Sequence, residues 1–177
     1  MTNTRDKLTE AKHFLEEMQR VSYDPDKFRY ELTAFLAASR SITLIMQKEF
    51  SEKTGFEDWY IHKRNEIENN PTLKYLHRQR NISHHEHPVL QHNFDPTAQI
   101  TDSKSTNVIL TGTGGSIGIL SSPFGSFPKI YPDISVKYYF SDFTDKKKDA
   151  ITLCQEAIDV MERIVNECEN KFKLGMD

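Results

Sequence analysis

"NNPTLKYLHRQRNISHHEHPV", residues 69 to 89, is the stretch on which the fold assignment turns. Asn70 supplies a helix cap and Pro71 suits the first helical position, where a missing N–H costs nothing. Leu73 and Leu76 sit one turn apart, on one face. Pro88 pushes the residue before it out of the helical region, so the helix is predicted to stop near His87. The segment thus reads as a helix with a basic and histidine-rich C-terminal half.

Working outward, the same start signal recurs upstream in "YDPDKF", with Asp24 as cap and Pro25 following. The helix it opens is predicted to run to about residue 50, with Phe28, Leu32, Phe35, Leu36, Ile42, Met46 and Phe50 on its apolar side. Leu8, Ala11, Leu15 and Met18 make a helical stripe over 4–20. Phe56, Trp59, Tyr60, Ile61 and Ile67 indicate a short helix over 56–69. At the far end, Ile151, Cys154, Ile158, Met161, Val165, Cys168 and Phe172 recur at alternating spacings of three and four, a buried stripe able to dock on other helices or on a second subunit. Thr144 or Asp145 is the expected cap of that last helix. Between the helices, residues 89–143 differ in character. "NVILTGTGGSIGIL" reads as two short strands around a glycine turn, and "ISVKYYF" as a third strand. The expected fold is therefore mainly α: a helical bundle in one domain over 1–177, with 89–143 a β-rich hairpin and loop insertion before the last helix.

The 177 residues suffice for one sizeable core. No run of apolar residues is long enough to span a bilayer, so no membrane partner is expected. The N-terminal "MTNTRDKLTE" has no apolar signal core, which makes the cytoplasm the expected location. A net charge of −3 argues against coating nucleic acid by bulk charge, although a local basic cleft is compatible with it. Cys154 and Cys168 stand fourteen positions apart on one helix. That places them roughly 21 Å apart, too far for a disulfide, so buried free thiols are expected.

The histidines His84, His85 and His87 fall within four positions. Three readings compete. A zinc site needs three or four converging ligands. His84 and His87 could share a face with His92 or an acid, but no cysteine pair or metalloprotease spacing supports it, and no metal or other cofactor is expected. A solvated polar helix end is the plain alternative. Acid–base chemistry is the third: Asn81 and His85 lie four apart on one ridge, with Arg80 and His84 on the next. From Lys74 to His92 the charged residues are Lys74, Arg78, Arg80 and Glu86, cationic in an acidic chain. His77, His84, His85, His87 and His92 add charge below neutral pH. A phosphodiester would be drawn here.

"RNISHH", Arg80 to His85, resembles the arginine–polar–three residues–histidine signature of HEPN domains (higher eukaryotes and prokaryotes nucleotide-binding). The preceding long helix "FRYELTAFLAASRSI", the segment "GFEDWY" and the closing amphipathic helix resemble that family too, over about residues 5–90 and 144–172. The resemblance implies an up-and-down bundle of four to five helices that forms a homodimer. It implies a metal-independent endoribonuclease of toxin or defence type, with an antitoxin or nucleotidyltransferase as a further partner. In that reading Arg80 binds the scissile phosphate, His85 is the general base or acid, and Asn81 orients phosphate or histidine. Arg78, His84 and His87 help to hold the RNA. The products would be a 2′,3′-cyclic phosphate and a 5′-hydroxyl. The rival reading is a non-catalytic bundle that binds a nucleotide, an RNA or a protein.

Other features read as structural. "TGTGGSIG" lacks the lysine and the following helix of a phosphate loop and fits a hairpin turn. Trp59 and Tyr60 fit core or interface anchors. Arg40, on an otherwise apolar helix, either pairs with an acid or lies near the cleft. Lys146–Lys148 read as a solvated face.

Overall fold

In the computed structural model the described backbone comprises residues 1–85, 94–100, 110–111, 118–119, 134–140, 142–145 and 148–172, with side chains described at 1–83, 136–140, 142–145 (Asp142 to Asp145) and 148–172. Five helices dominate it: α1 (Asn3–Arg20), α2 (Pro25–Phe50), α3 (Phe56–Asn69), α4 (Pro71–His85) and α5 (Ala150–Phe172).

Each start has a visible cause. The Thr2 hydroxyl accepts from the Arg5 amide at 3.1 Å, and Asp24 accepts from Lys27 at 3.1 Å. Asn70 accepts from the Leu73 amide at 3.0 Å, with Pro71 behind it as read from the sequence. Before α3 the chain turns at Gly55, whose φ of 76° suits a residue without a Cβ. Glu49, near the end of α2, takes the Asn3 and Thr4 amides at 2.9 and 2.8 Å. A carboxylate at the positive end of α1 satisfies otherwise orphaned donors there and fixes α1 antiparallel to α2.

The last helix starts later than expected. Its cap is Asp149, which accepts from the Thr152 amide at 3.0 Å, and neither Thr144 nor Asp145 fills that place. Ahead of it Phe143 is buried and Tyr75 of α4 donates to Asp142. Lys148 precedes α5 and pairs with Glu156 at 2.6 Å.

The core forms where the apolar stripes meet. Leu8, Leu15 and Met18 of α1 face Phe28, Leu32, Phe35 and Leu36 of α2, and α5 closes over them with Leu153, Ile158, Ile164 and Val165. Ion pairs fasten α5 at its edges: Arg5 to Glu169, Lys12 to Glu162, Lys63 to Glu167, and Arg163 to Glu66. Trp59 packs between Phe56 and Phe172, the anchoring place expected of it. Cys154 and Cys168 are free and buried.

A β-rich insertion is not what the described residues support. Strand β4 (Ile134–Phe140) is the one strand whose side chains are described, and it belongs to the core. Val136, Tyr138 and Phe140 alternate inward, at 3%, 1% and 1% exposure. Burying one face of a strand on helices, rather than on a second sheet, is what makes it part of the bundle. The backbone of β1 (Phe94–Ile100) runs antiparallel to β4, and the two-residue β2 (Leu110–Thr111) and β3 (Gly118–Ile119) pair with each other. The glycine turn of "TGTGGSIG" lies outside the described residues, as do Lys146 and Lys147. Among the described residues no helix is long and apolar enough to cross a membrane.

Candidate anion-binding site

Helix α4 carries no aspartate or glutamate. Thr72, Leu73, Leu76 and Gln79 point into the bundle and are buried, which leaves Lys74, His77, Arg78 and Asn81 exposed on the outer side. Lys74, His77 and Arg80 follow one another at i, i+3 and i+6, so they rise along one face over about 9 Å.

Arg40 of α2 joins them. Its guanidinium donates to the Thr43 hydroxyl at 3.0 Å and stays half-buried. Arg40 lies on the wall of a cavity of about 630 Å³ between α2, α3, α4 and α5, together with Lys74 and His77. Of the two expected placements for Arg40, an acid partner or the cleft, the structure gives the cleft. Among the described residues, Arg40, Lys74, Arg78 and Arg80 form no ion pair, whereas Arg5, Lys12, Lys63 and Arg163 at the edges of α5 do. The acids nearest α4 are already engaged. Asp142 accepts from Tyr75 and Gln79, Glu156 accepts from Thr72 and Lys148, and Glu68 pairs with Arg64 at 3.7 Å. Burial of Tyr75 and the neighbouring Asp142 push that phenol above its ordinary range, so it stays a hydrogen-bond donor.

His77 is the imidazole at the centre. Burial lowers its pKa first, and the guanidiniums of Arg40 and Arg80 lower it further. Glu68 opposes them as the smallest influence. Both effects disfavour the charged ring, so at neutral pH the ring is a neutral donor and acceptor. Arg80 donates to the Asn81 side chain at 3.3 Å, and its Nε is buried with no partner among the described residues. A buried donor left open is uncommon, and an incoming acceptor would satisfy it.

Of the expected site residues, Arg78, Arg80 and Asn81 have described side chains, all on α4. Arg80 and Asn81 are neighbours joined by that hydrogen bond, and Arg78 is exposed on the same helix. His84 and His85 end α4, with their side chains outside the described residues, and His87 lies outside them altogether. The Arg80–His85 pairing therefore falls there as well. The sequence reading counted Lys74 and His77 in the cationic stretch that would draw a phosphodiester but gave neither a role of its own. Their signal was the spacing of three back from Arg80. Among the described residues no three His, Cys, Asp or Glu side chains gather as a metal site requires, and the histidines weighed for zinc lie outside them.

The sequence pattern of the family described as "Bacteriophage lambda protein ea47" matches residues 1–94. That span takes in α1 to α4 and every cation named in the site. A relative, Protein ea47 of Escherichia phage lambda, is 32% identical over 78 residues, which is 42% of this chain and 18% of that protein. The chain thus matches less than a fifth of that relative's length. No solved structure matches the chain. These matches overturn the HEPN assignment, which had rested on a six-residue signature and its helical setting. A short motif of common polar residues at helix spacing arises on unrelated bundles, and here it does. The expectations that leaned on that resemblance alone, a toxin role and an antitoxin or nucleotidyltransferase partner, lose their support with it. By the match over 1–94, more than half of its length, the chain belongs to the bacteriophage lambda protein ea47 family.

Proposed function

We propose that the chain binds single-stranded RNA by its phosphates, along the outer face of α4 and the adjoining Arg40. One observation carries this reading. An acid-free helix carries cations that form no ion pair among the described residues, in a chain whose net charge is −3. Clustered cations with no internal counter-charge attract an external polyanion and release its counterions on binding. Three or four neutralised phosphates would give log K a slope of about −2 to −3 against log salt for a single strand. The test is anisotropy of a labelled RNA oligonucleotide titrated with protein at several salt concentrations. Binding with that slope, abolished in the triple variant Lys74→Glu, Arg78→Glu, Arg80→Glu, is the expected result. Equal affinity for wild type and triple variant would refute it.

His77 favours a second reading on the same face, metal-independent cleavage. A neutral imidazole beside two guanidiniums can take the proton of an RNA 2′-hydroxyl as its oxygen attacks phosphorus. The bond from phosphorus to the 5′-oxygen breaks, that oxygen takes the proton back from the His77 imidazolium and leaves as a 5′-hydroxyl, and the 2′,3′-cyclic phosphate remains. Arg80 and Arg40 would stabilise the charge that grows on phosphorus, with Asn81 and His85 as supporting groups. A second copy of the chain, bringing a second α4, would double the cationic face. RNA cleaved in excess chelator by wild type, and left whole by Arg80→Ala, supports this reading. RNA bound and left whole by wild type leaves binding alone.

A further inference from the structure

The cavity beneath Arg40 and His77 has a composition that the phosphate reading does not use. Its floor is apolar and closed: Leu36, Leu76, Ala157 and Met161 are each no more than 5% exposed. Its rim carries the cations Arg40 and Lys74, the neutral imidazole of His77, and Glu68 in its pair with Arg64. Two exposed amide side chains, Gln47 and Asn69, also line it. The Asn69 amide nitrogen donates to Asn65 at 2.9 Å, which leaves its carbonyl oxygen toward other donors. At about 630 Å³ it falls within the range of small-ligand pockets, which run about 300–1,000 Å³ and place a few polar groups over an apolar lining.

We infer that this cavity takes one nucleobase, with its 5′-phosphate held at the Arg40–Lys74–His77 rim. A base is a disc with apolar faces and a polar edge, and its phosphate lies a ribose away. That matches an apolar floor with cations and the exposed amides of Gln47 and Asn69 around the mouth. The nucleotide is either free or one unit of a bound strand. The inference in its second form rests on the RNA-binding reading.

The experiment uses the full chain and five probes: AMP, inorganic phosphate, hexyl phosphate, a single-stranded RNA decamer, and an abasic decamer of equal charge. The readouts are affinity and the Met161 methyl resonance in the wild-type protein. AMP is expected to shift that methyl and saturate, while phosphate and hexyl phosphate bind at least tenfold more weakly. Ser39→Phe, which drives a ring into the cavity from its wall, should weaken AMP at least tenfold and leave the abasic strand unchanged. Its folding is checked by a thermal melt, and the wild-type methyl shift stands independently of that variant. If RNA and abasic strands bind alike, Ser39→Phe changes neither, and AMP leaves the methyl unmoved, the base pocket is refuted and phosphate binding stands. Hexyl phosphate binding as tightly as AMP also refutes it. AMP bound in the cavity with both strands unbound supports a free-nucleotide site and removes the RNA reading.

Discussion

Tyr138 of β4 lies stacked on Phe28 of α2, with ring centroids 4.1 Å apart, and its hydroxyl donates to the Ser22 carbonyl at 2.8 Å. One side chain from beyond residue 130 therefore locks the corner between α1 and α2. Tyr138→Phe removes only the hydrogen bond and should cost about 1–3 kcal/mol, because the buried carbonyl loses its donor. Tyr138→Ala also removes the ring and should cost about 3–5 kcal/mol. Urea unfolding followed by circular dichroism gives both values. A cost below about 1 kcal/mol for the alanine variant would mean that β4 is an appendage and not core.

The cap of α5 gives a sharper contrast. Asp149→Ala should destabilise by about 0.5–2 kcal/mol, whereas Thr144→Ala, exposed and five residues earlier, should change little. Thermal melts of the two variants decide which residue starts the helix.

That contrast shows where the sequence was legible. Asp24–Pro25 and Asn70–Pro71 pair a capping side chain with a residue that can only begin a helix, so both starts could be read. Ahead of α5 stand Thr144, Asp145 and Asp149, all capable caps, followed by no proline and separated by lysines that suit either conformation. The choice falls to tertiary packing, namely Phe143 in the core and Asp142 held by Tyr75. Strand β4 was readable by its alternation, but its docking on Phe28 was not, since period alone does not say what covers a face. Arg80 and Asn81 were readable as a polar pair on one helix. The cavity draws its walls from α2, α3, α4 and α5, and no local spacing announces such a meeting. Arg40 was visible as an odd charge on an apolar helix without any hint of its direction.

The two thiols should be inert in the native protein. Burial pushes Cys168 up to about 12 and raises Cys154 as well, so almost no thiolate exists at pH 8. Ellman's reagent should modify neither cysteine in buffer and both in urea, with no disulfide to reduce first. Rapid modification of either in buffer would show that α5 opens.

His77 should titrate below an ordinary exposed histidine, whose pKa is about 6.5. Its folded pKa lies under its unfolded one, so between the two values the unfolded chain binds more protons. Stability from this group is present above about pH 6.5 and declines as pH falls toward the depressed value. His77→Gln should flatten that part of the curve. Inorganic phosphate at the rim favours the imidazolium and should move the midpoint upward. Imidazole proton resonances measured across pH, with and without phosphate, test both directions. A midpoint that phosphate leaves in place would separate His77 from any anion site.

Arg80 sets stability against binding. Its buried Nε has no partner among the described residues, and an unmet buried donor costs about 1–3 kcal/mol. Arg80→Met keeps the aliphatic stem and deletes the open donor and the charge. The variant should therefore melt at or above the wild-type temperature while binding RNA more weakly. Its salt slope should be shallower by about 0.7, because one fewer phosphate is neutralised. Such an inverse pair of effects marks a side chain kept for a ligand at the expense of the fold. A lower melting temperature with RNA affinity intact would instead make Arg80 a structural residue of α4, and the phosphate face would then have to rest on Arg40, Lys74 and Arg78.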